Sequence, residues 1–482
     1  MNPDVIVVGS GSGGAVVACR LTEDQALRVL LLEAGPDTWP DVPDAVRYVR
    51  GGSGVNEFDW DYSDPAIGAA LPRGRLVGGS SAVNSSYALR GQPVDYDGWG
   101  PGWTWQACLP YFRRLEDDAD FGDEPYHGRG GPIHIVREPP MSTVEETFYA
   151  ACLELGHKPL ADLNSPEGIG VGPLPRNMRN GVRQSTLVTY LAAARRRPNL
   201  EIRANALVDR LLFDGNRVCG VALVGGEQIL APKTVLAAGA YNSPQILLRS
   251  GVGGAEQLRK HRIDVRLELG EVGRHLTDHP LTVLVLHAEG IDLNDGVRVG
   301  PTVKLRSRPD LPADDMKITL FPNGELLSLP GLTGLHLEID ETYSQGTVEL
   351  RSPDPLDPPR IDSRLLSDTR DLARMVDGVA RTLKIFEAMS GGVRAELLIP
   401  DAATANDPEL LHEHIRKFHS TGYHPSGTCR IGHVVDERCR LVGAQGLWVA
   451  DASVMPTVPR ANTNLPTLMI GERVADFIKA EL

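Results

Sequence analysis

The sequence predicts an α/β protein in two parts: a Rossmann-like domain that binds a dinucleotide, and an α+β domain built on an antiparallel sheet. Three observations predict it. A short apolar strand, a glycine-rich turn, a helix and a second strand ending in an acid open the chain. A further strand ending in an acid, followed by a helix, lies close to the other end. Between them run segments in which apolar and polar residues alternate, as in strands with one covered face.

The opening unit has a physical reading residue by residue. Asp4 to Val8 is rich in β-branched residues and reads as a buried strand. In the turn that follows, Gly9 permits a tight reversal. Gly11 lets a pyrophosphate approach the backbone, and Gly14 lets the helix pack closely on the strand. The helix from Ala15 to about Thr22 offers unpaired N–H groups and the positive end of its dipole to phosphate. Arg28 to Leu32 is the second strand, and Glu33, 19 positions after Gly14, stands where an acid accepts from ribose hydroxyls. An acid there also repels a 2′-phosphate, which disfavours NADP. An ordinary strand–helix turn is the rival reading, and the motif alone does not separate FAD from NAD.

Other segments decide that point. Arg75 to Gly91 is a second loop rich in glycine and hydroxyl groups, including Gly78, Gly79, Ser80, Ser81, Val83 and Asn84. Asn205 to Arg210, with Val208, opens a hairpin turning at Asp214-Gly215, and leads to Ala238, Gly239, Ser243 and Pro244. The run Gly273-Arg-His-Leu-Thr-Asp278-His279-Pro280 follows, then Gly346 to Pro359. Near the end come Tyr423-His424-Pro425-Ser-Gly427-Thr428-Cys-Arg430, the strand reaching Asp451, and Asn462-Thr-Asn464-Leu-Pro466-Thr467. At these residues, over nearly its whole length, the chain resembles the glucose–methanol–choline (GMC) family of flavoproteins.

The resemblance implies FAD as cofactor, held by Gly9, Gly11, Gly14, Glu33, Gly79, Asn84, Val208, Ala238, Asp451 and Thr467. It places Asn84 beside the isoalloxazine and the start of the C-terminal helix at the edge of the flavin. Some members attach FAD through a histidine just before that asparagine. Here the position is Val83, which has no nucleophile, so the FAD is expected to be non-covalent. The implied reaction is oxidation of an alcohol, with hydride passing to flavin N5. His424 matches the family's base, and an imidazole suits that task because its pKa lies near neutrality. Asn464 matches the second position and is expected to hold the substrate oxygen; Asn462 is the neighbouring alternative. The implied partners are a small-molecule alcohol and an electron acceptor: oxygen, a quinone or a redox carrier. In size the chain resembles the mycofactocin-associated branch, which uses a carrier. A lyase of the same fold that cleaves cyanohydrins, or a non-catalytic FAD-binding protein, are the rival readings.

The cofactor domain must be discontinuous, with 1–135, 200–280 and 425–482 in it, and 136–199 and 281–424 forming the substrate domain. Strands are expected at Leu281 to His287, Pro301 to Leu305, Lys317 to Phe321, Gly334 to Ile339 and Thr347 to Arg351, in a sheet with one wet face. A helix is expected from Asp368 to Ala388. The net charge of -14 disfavours nucleic acid and anionic membranes. Six scattered cysteines without a CxxC pair read as reduced thiols, no leader or membrane span is apparent, and a cytoplasmic location is expected. His412, His414 and His419 crowd one region without a zinc spacing, so no metal site is expected.

Overall fold

The computed structural model describes residues 3–49, 56–138, 142–288, 299–323 and 331–481. Its first core is a five-stranded parallel sheet. The strands run in the order Leu200–Arg203, Val29–Leu32, Val5–Val8, Lys233–Leu236 and Leu447–Val449. Val5–Val8 and Val29–Leu32 are buried at every residue, which explains why they read as unbroken apolar runs rather than alternating ones. The chain order reverses at Val5–Val8, and the crevice beyond its carboxyl end is where such sheets bind ligands.

Glycines bring the helices onto this sheet. Gly9 has φ +94°, a conformation that favours glycine. A Cβ at Gly14 would stand 1.9 Å from the Gly9 carbonyl oxygen, so helix Ser12–Leu21 lies against the strand end as its glycines require. That helix also packs on the C-terminal helix Asn464–Lys479, where a Cβ at Gly471 would come within 2.7 Å of the Gly13 oxygen. The ion pair Arg20–Glu472 (2.7 Å) ties the two, and the Tyr190 hydroxyl donates to the same carboxylate at 2.6 Å.

The second core is a seven-stranded sheet whose pairings are antiparallel. Its order is Ala395–Ile399, Pro280–Ala288, Thr333–Ile339, Met316–Phe321, Thr302–Leu305 and Gly170–Gly172, with Ser420–Thr421 also on Pro280–Ala288. One face carries Met316, Ile318, Leu320, Leu335 and Leu337 against helix Thr369–Met389. Leu372, Met375 and Val379 of that helix are buried in the contact. The expected strand at Thr347 pairs instead with Arg360–Asp362, in a separate ribbon.

The other face differs from expectation. It is polar but not wet: Lys304, Lys317, Thr319 and Glu338 are all at most 1% exposed. The face is covered from within the molecule, so polarity at alternate positions marks an internal charged layer rather than contact with water. The stretch 136–199 also divides. Val144, Phe148, Cys152 and Val171 join the second core, whereas Leu187, Tyr190, Leu191 and Ala194 join the first.

Candidate active site

A cavity of about 600 Å³ runs between the two sheets. Gly9, Gly11, Glu33, Gly79, Asn84, Val208, Ala238, Asp451, Thr467, His424 and Asn464 all line it, together with Asn462. Gly14 does not line it and serves the helix–strand contact instead.

At one end the wall is built for phosphate. Helix Ser12–Leu21 begins at the cavity with no side-chain cap and no acid in its first turn, leaving its N–H groups free. A Cβ on Gly79 would stand 2.8 Å from the Gly11 Cα, so the two glycine loops meet with no room for a side chain at Gly79. Glu33 accepts from the Ser10 backbone N–H (3.0 Å) and hydroxyl (2.6 Å) and from the Gly35 N–H (3.0 Å). Burial pushes its carboxyl above the ordinary range, against those hydrogen bonds. Asp451 accepts from the Gly239 N–H (2.9 Å), the Ser243 hydroxyl (2.6 Å) and the Ser453 N–H (2.8 Å), locking the loop after strand Lys233–Leu236.

At the other end stands His424. Its loop is held from several sides. The Thr421 hydroxyl and the His424 N–H donate to Asp278, at 2.6 and 2.8 Å. Tyr423 adopts φ +63°, a strained value for an aromatic residue, and Arg73 Nη1 donates to its carbonyl at 2.9 Å. The imidazole is thereby fixed with Nε2 2.9 Å from Asn462 Nδ2 and Nδ1 3.2 Å from Glu338 Oε1. His279 Nδ1 lies 3.0 Å from His424 Nδ1 and 2.9 Å from the same carboxylate oxygen. Burial pushes the His424 imidazole below its ordinary pKa, against the pull of Glu338.

The second asparagine differs from expectation. Asn464 does not touch His424: its Oδ1 accepts from the Ser12 hydroxyl at 2.7 Å, at the start of the glycine-turn helix. Asn462 is the residue that meets the imidazole. The reason is helical geometry. Asn464 is the first residue of the C-terminal helix, and its side chain follows that helix onto its neighbour; Asn462 still lies in the loop before the turn.

Sequence reasoning missed Glu338 and Lys317. Their signal was present: charged residues at alternate positions inside apolar strands. The register that sets Lys317 opposite Glu338 is a tertiary fact. The mutual distances of His279, Glu338 and His424 could suit a metal ion. Lys317 Nζ, however, already stands 2.8 Å from the shared Glu338 oxygen, and its ammonium opposes a cation there. His414 and His419 lie elsewhere, His414 against Phe418 and His419 on carbonyls of its own helix.

The residues fit FAD. Buried Asn464 Nδ2 and Gln245 Nε2 have no partner among the described residues, and both residues line the cavity. Unpaired buried groups of this kind are costly unless a ligand satisfies them. Val83 lines the cavity beside Asn84 and offers no nucleophile for a covalent link. Among the described residues no helix is long and apolar enough to cross a membrane.

A parallel nucleotide-binding sheet, capped by an antiparallel sheet that delivers a histidine to the shared cavity, defines a flavin-type oxidoreductase. Family models described as GMC oxidoreductase match residues 4–281 and 342–471, and the chain belongs to that family. It is 33% identical to an uncharacterised GMC-type oxidoreductase of Rhodococcus erythropolis, over 98% of each chain. It is 34% identical to an oxygen-dependent choline dehydrogenase of Burkholderia lata, over 99% of this chain and 93% of the relative. Among solved structures, pyridoxine 4-oxidase from Mesorbium loti superposes with a TM-score of 0.91 at 30% identity, covering 98% of this chain and 99% of that one. The chain is therefore an FAD-dependent oxidoreductase acting on CH–OH donors.

Proposed function

We propose that the chain oxidises a small-molecule alcohol, with His424 as the base and Asn462 holding the substrate oxygen. The observation that carries this reading is a buried imidazole and an amide side by side in the cavity wall, His424 Nε2 2.9 Å from Asn462 Nδ2, with the amide oxygen unpartnered among the described residues. A neutral Nε2 can accept the hydroxyl proton, while the Asn462 amide fixes the oxygen so that the C–H bond keeps one direction. FAD, when bound, supplies the hydride acceptor. Gly9, Gly11 and the N–H groups of helix Ser12–Leu21 would hold its pyrophosphate, Glu33 its ribose and Val208 its adenine. Asn84, Ala238, Asp451, Asn464 and Thr467 would line the rest of its site. Choline and pyridoxine, the compounds in the names of two relatives, are both alcohols, which supports the substrate class.

The test is an anaerobic screen of choline, pyridoxine and benzyl alcohol while the flavin spectrum is followed. Bleaching by an alcohol in the wild type, and its loss in a flavin-loaded His424→Ala variant, is the expected result. A flavin that stays oxidised while a cyanohydrin is cleaved would favour the lyase. Wild-type bleaching in His424→Ala would remove the histidine from the chemistry. Mixing the reduced enzyme with air, a quinone or a dye then identifies the acceptor.

A further inference from the structure

We propose that Glu338 is a positioning residue for the base: it holds His424 with the proton on Nδ1, leaving Nε2 unprotonated beside Asn462 in the cavity wall. This rests on the reading of His424 given above.

The geometry comes from sheet register. Strand Thr333–Ile339 points Leu335 and Leu337 into the apolar core and His336 and Glu338 toward the cavity. On the next strand Lys317 pairs directly with Glu338, and its Nζ reaches Glu338 Oε1 at 2.8 Å and also contacts Asp340. Across the other side, Leu281 pairs with Glu338, and His279 lies two residues before it. Every one of these charged side chains is at most 2% exposed. Buried charges of this kind persist only when paired, so the layer has a definite charge state rather than a solvated average.

Proton placement follows from the contacts. If Asn462 Nδ2 donates to His424 Nε2, that nitrogen is bare, and the single proton of the neutral ring sits on Nδ1. Nδ1 then faces Glu338 Oε1 and His279 Nδ1. When Nε2 takes the substrate proton, the ring becomes a cation with a buried carboxylate 3.2 Å from its far side. The arrangement parallels the acid–histidine pair of hydrolytic triads, where the acid sets the tautomer and stabilises the imidazolium without taking the proton. Burial pushes the Glu338 carboxyl up, but Lys317, His424 and His279 together outweigh it, and the carboxyl ends well below its usual range.

A second observation comes from packing. A Cβ at Gly422 would stand 2.9 Å from His424 Nδ1 and 3.1 Å from the Glu338 carboxyl carbon. The chain thus passes over the pair at a glycine, where any side chain would crowd both members.

The charged and titratable groups that face His424 are Glu338 and His336 from one strand, Lys317 from the next, and Asp278 and His279 from the segment before Pro280–Ala288. Glu338 raises the tendency of His424 to hold a proton; Lys317 and His279 lower it. Removing Glu338 and removing Lys317 must therefore act in opposite directions, which loss of mere structural support would not do.

The experiment uses holoenzyme labelled with ¹⁵N-histidine. His424 is assigned from a His424→Asn difference spectrum and titrated in wild type, Glu338→Gln and Lys317→Met. The expected result is an Nδ1-protonated ring in wild type. Its pKa should shift down in Glu338→Gln and up in Lys317→Met, each by about one unit or more. In parallel, flavin reduction is followed with whichever of choline, pyridoxine and benzyl alcohol reduces wild type fastest. Its rate should fall on the order of 10²- to 10⁴-fold in Glu338→Gln, with the acidic limb of the pH profile moved the same way as the titration. Unchanged titration in Glu338→Gln, shifts of the same sign in both variants, or an Nε2-protonated wild-type ring overturns the proposal. If Lys317→Met fails to fold, the Glu338→Gln shift decides alone. Loss of activity in His424→Ala with none in Glu338→Gln sinks this inference only, whereas full activity in His424→Ala sinks the reading beneath it.

Discussion

Two asparagines two residues apart should fail in different ways when shortened. Asn462→Ala removes the amide 2.9 Å from His424 Nε2, the group proposed to hold the oxygen as charge develops on it. Donors of that kind are worth about 10²- to 10³-fold in rate, or roughly 3–4 kcal/mol, because they act in a dry, preorganised site. Asn464→Ala removes a neutral side-chain contact of 2.7 Å to Ser12, at the start of the helix that would hold pyrophosphate. Such a bond is worth about 0.5–1.5 kcal/mol net, roughly a 2- to 12-fold change in an equilibrium. Asn462→Ala should thus reduce its flavin about 10²-fold more slowly, with FAD affinity close to wild type. Asn464→Ala should bind FAD a few-fold more weakly and, once saturated, react within a few-fold of the wild-type rate. Stopped-flow reduction under anaerobic conditions and flavin fluorescence titration read the two quantities separately. If Asn464→Ala loses as much rate as Asn462→Ala, or Asn462→Ala keeps wild-type rate, the assignment of roles is wrong.

Four other outcomes follow from particular contacts. Gly14→Ala would drive a methyl group to 1.9 Å from the Gly9 oxygen, and should yield protein without flavin or with a lowered Tm, checked by absorbance and thermal denaturation. Gly422→Ala should separate His424 from Glu338 and slow flavin reduction while leaving FAD affinity unchanged, since the glycine touches the pair and not the nucleotide end. Acid precipitation should leave the yellow colour in the supernatant, because Val83 cannot form a covalent link; a coloured pellet refutes this. The buried cluster of His127 with Glu116 (2.9 Å) and Asp162 (3.0 Å) sets a pH dependence. Burial lowers the His127 pKa, but its two carboxylate partners outweigh burial and raise it above the ordinary imidazole value. Its stabilising contribution is therefore complete below about pH 6.5 and lost as pH rises through the folded value. Tm should decline on the alkaline side in wild type, and that part of the decline should vanish in His127→Gln.

Sequence alone determined the parts of this protein whose chemistry is local. Gly9 is set by its φ of +94° and Gly14 by the Gly9 carbonyl oxygen 1.9 Å from where its Cβ would stand, demands within a few residues, so the nucleotide turn was legible without coordinates. The apolar runs Val5–Val8 and Val29–Leu32, buried on both faces, announced a parallel sheet, and the signature around His424 singled out a histidine that lines the cavity. Tertiary structure alone decided what depends on which strand lies beside which. The alternating polar positions of Met316–Phe321 and Thr333–Ile339 read as a wet face, because a strand's pattern reports that one side is polar and not what covers it. Only the packing of two sheets shows that this side is an interior layer, that Lys317 stands opposite Glu338, and that Glu338 reaches His424. The asparagines divide on the same ground: spacing cannot tell whether Asn462 or Asn464 faces the imidazole, because the answer lies in where the last helix begins and which neighbour it packs on.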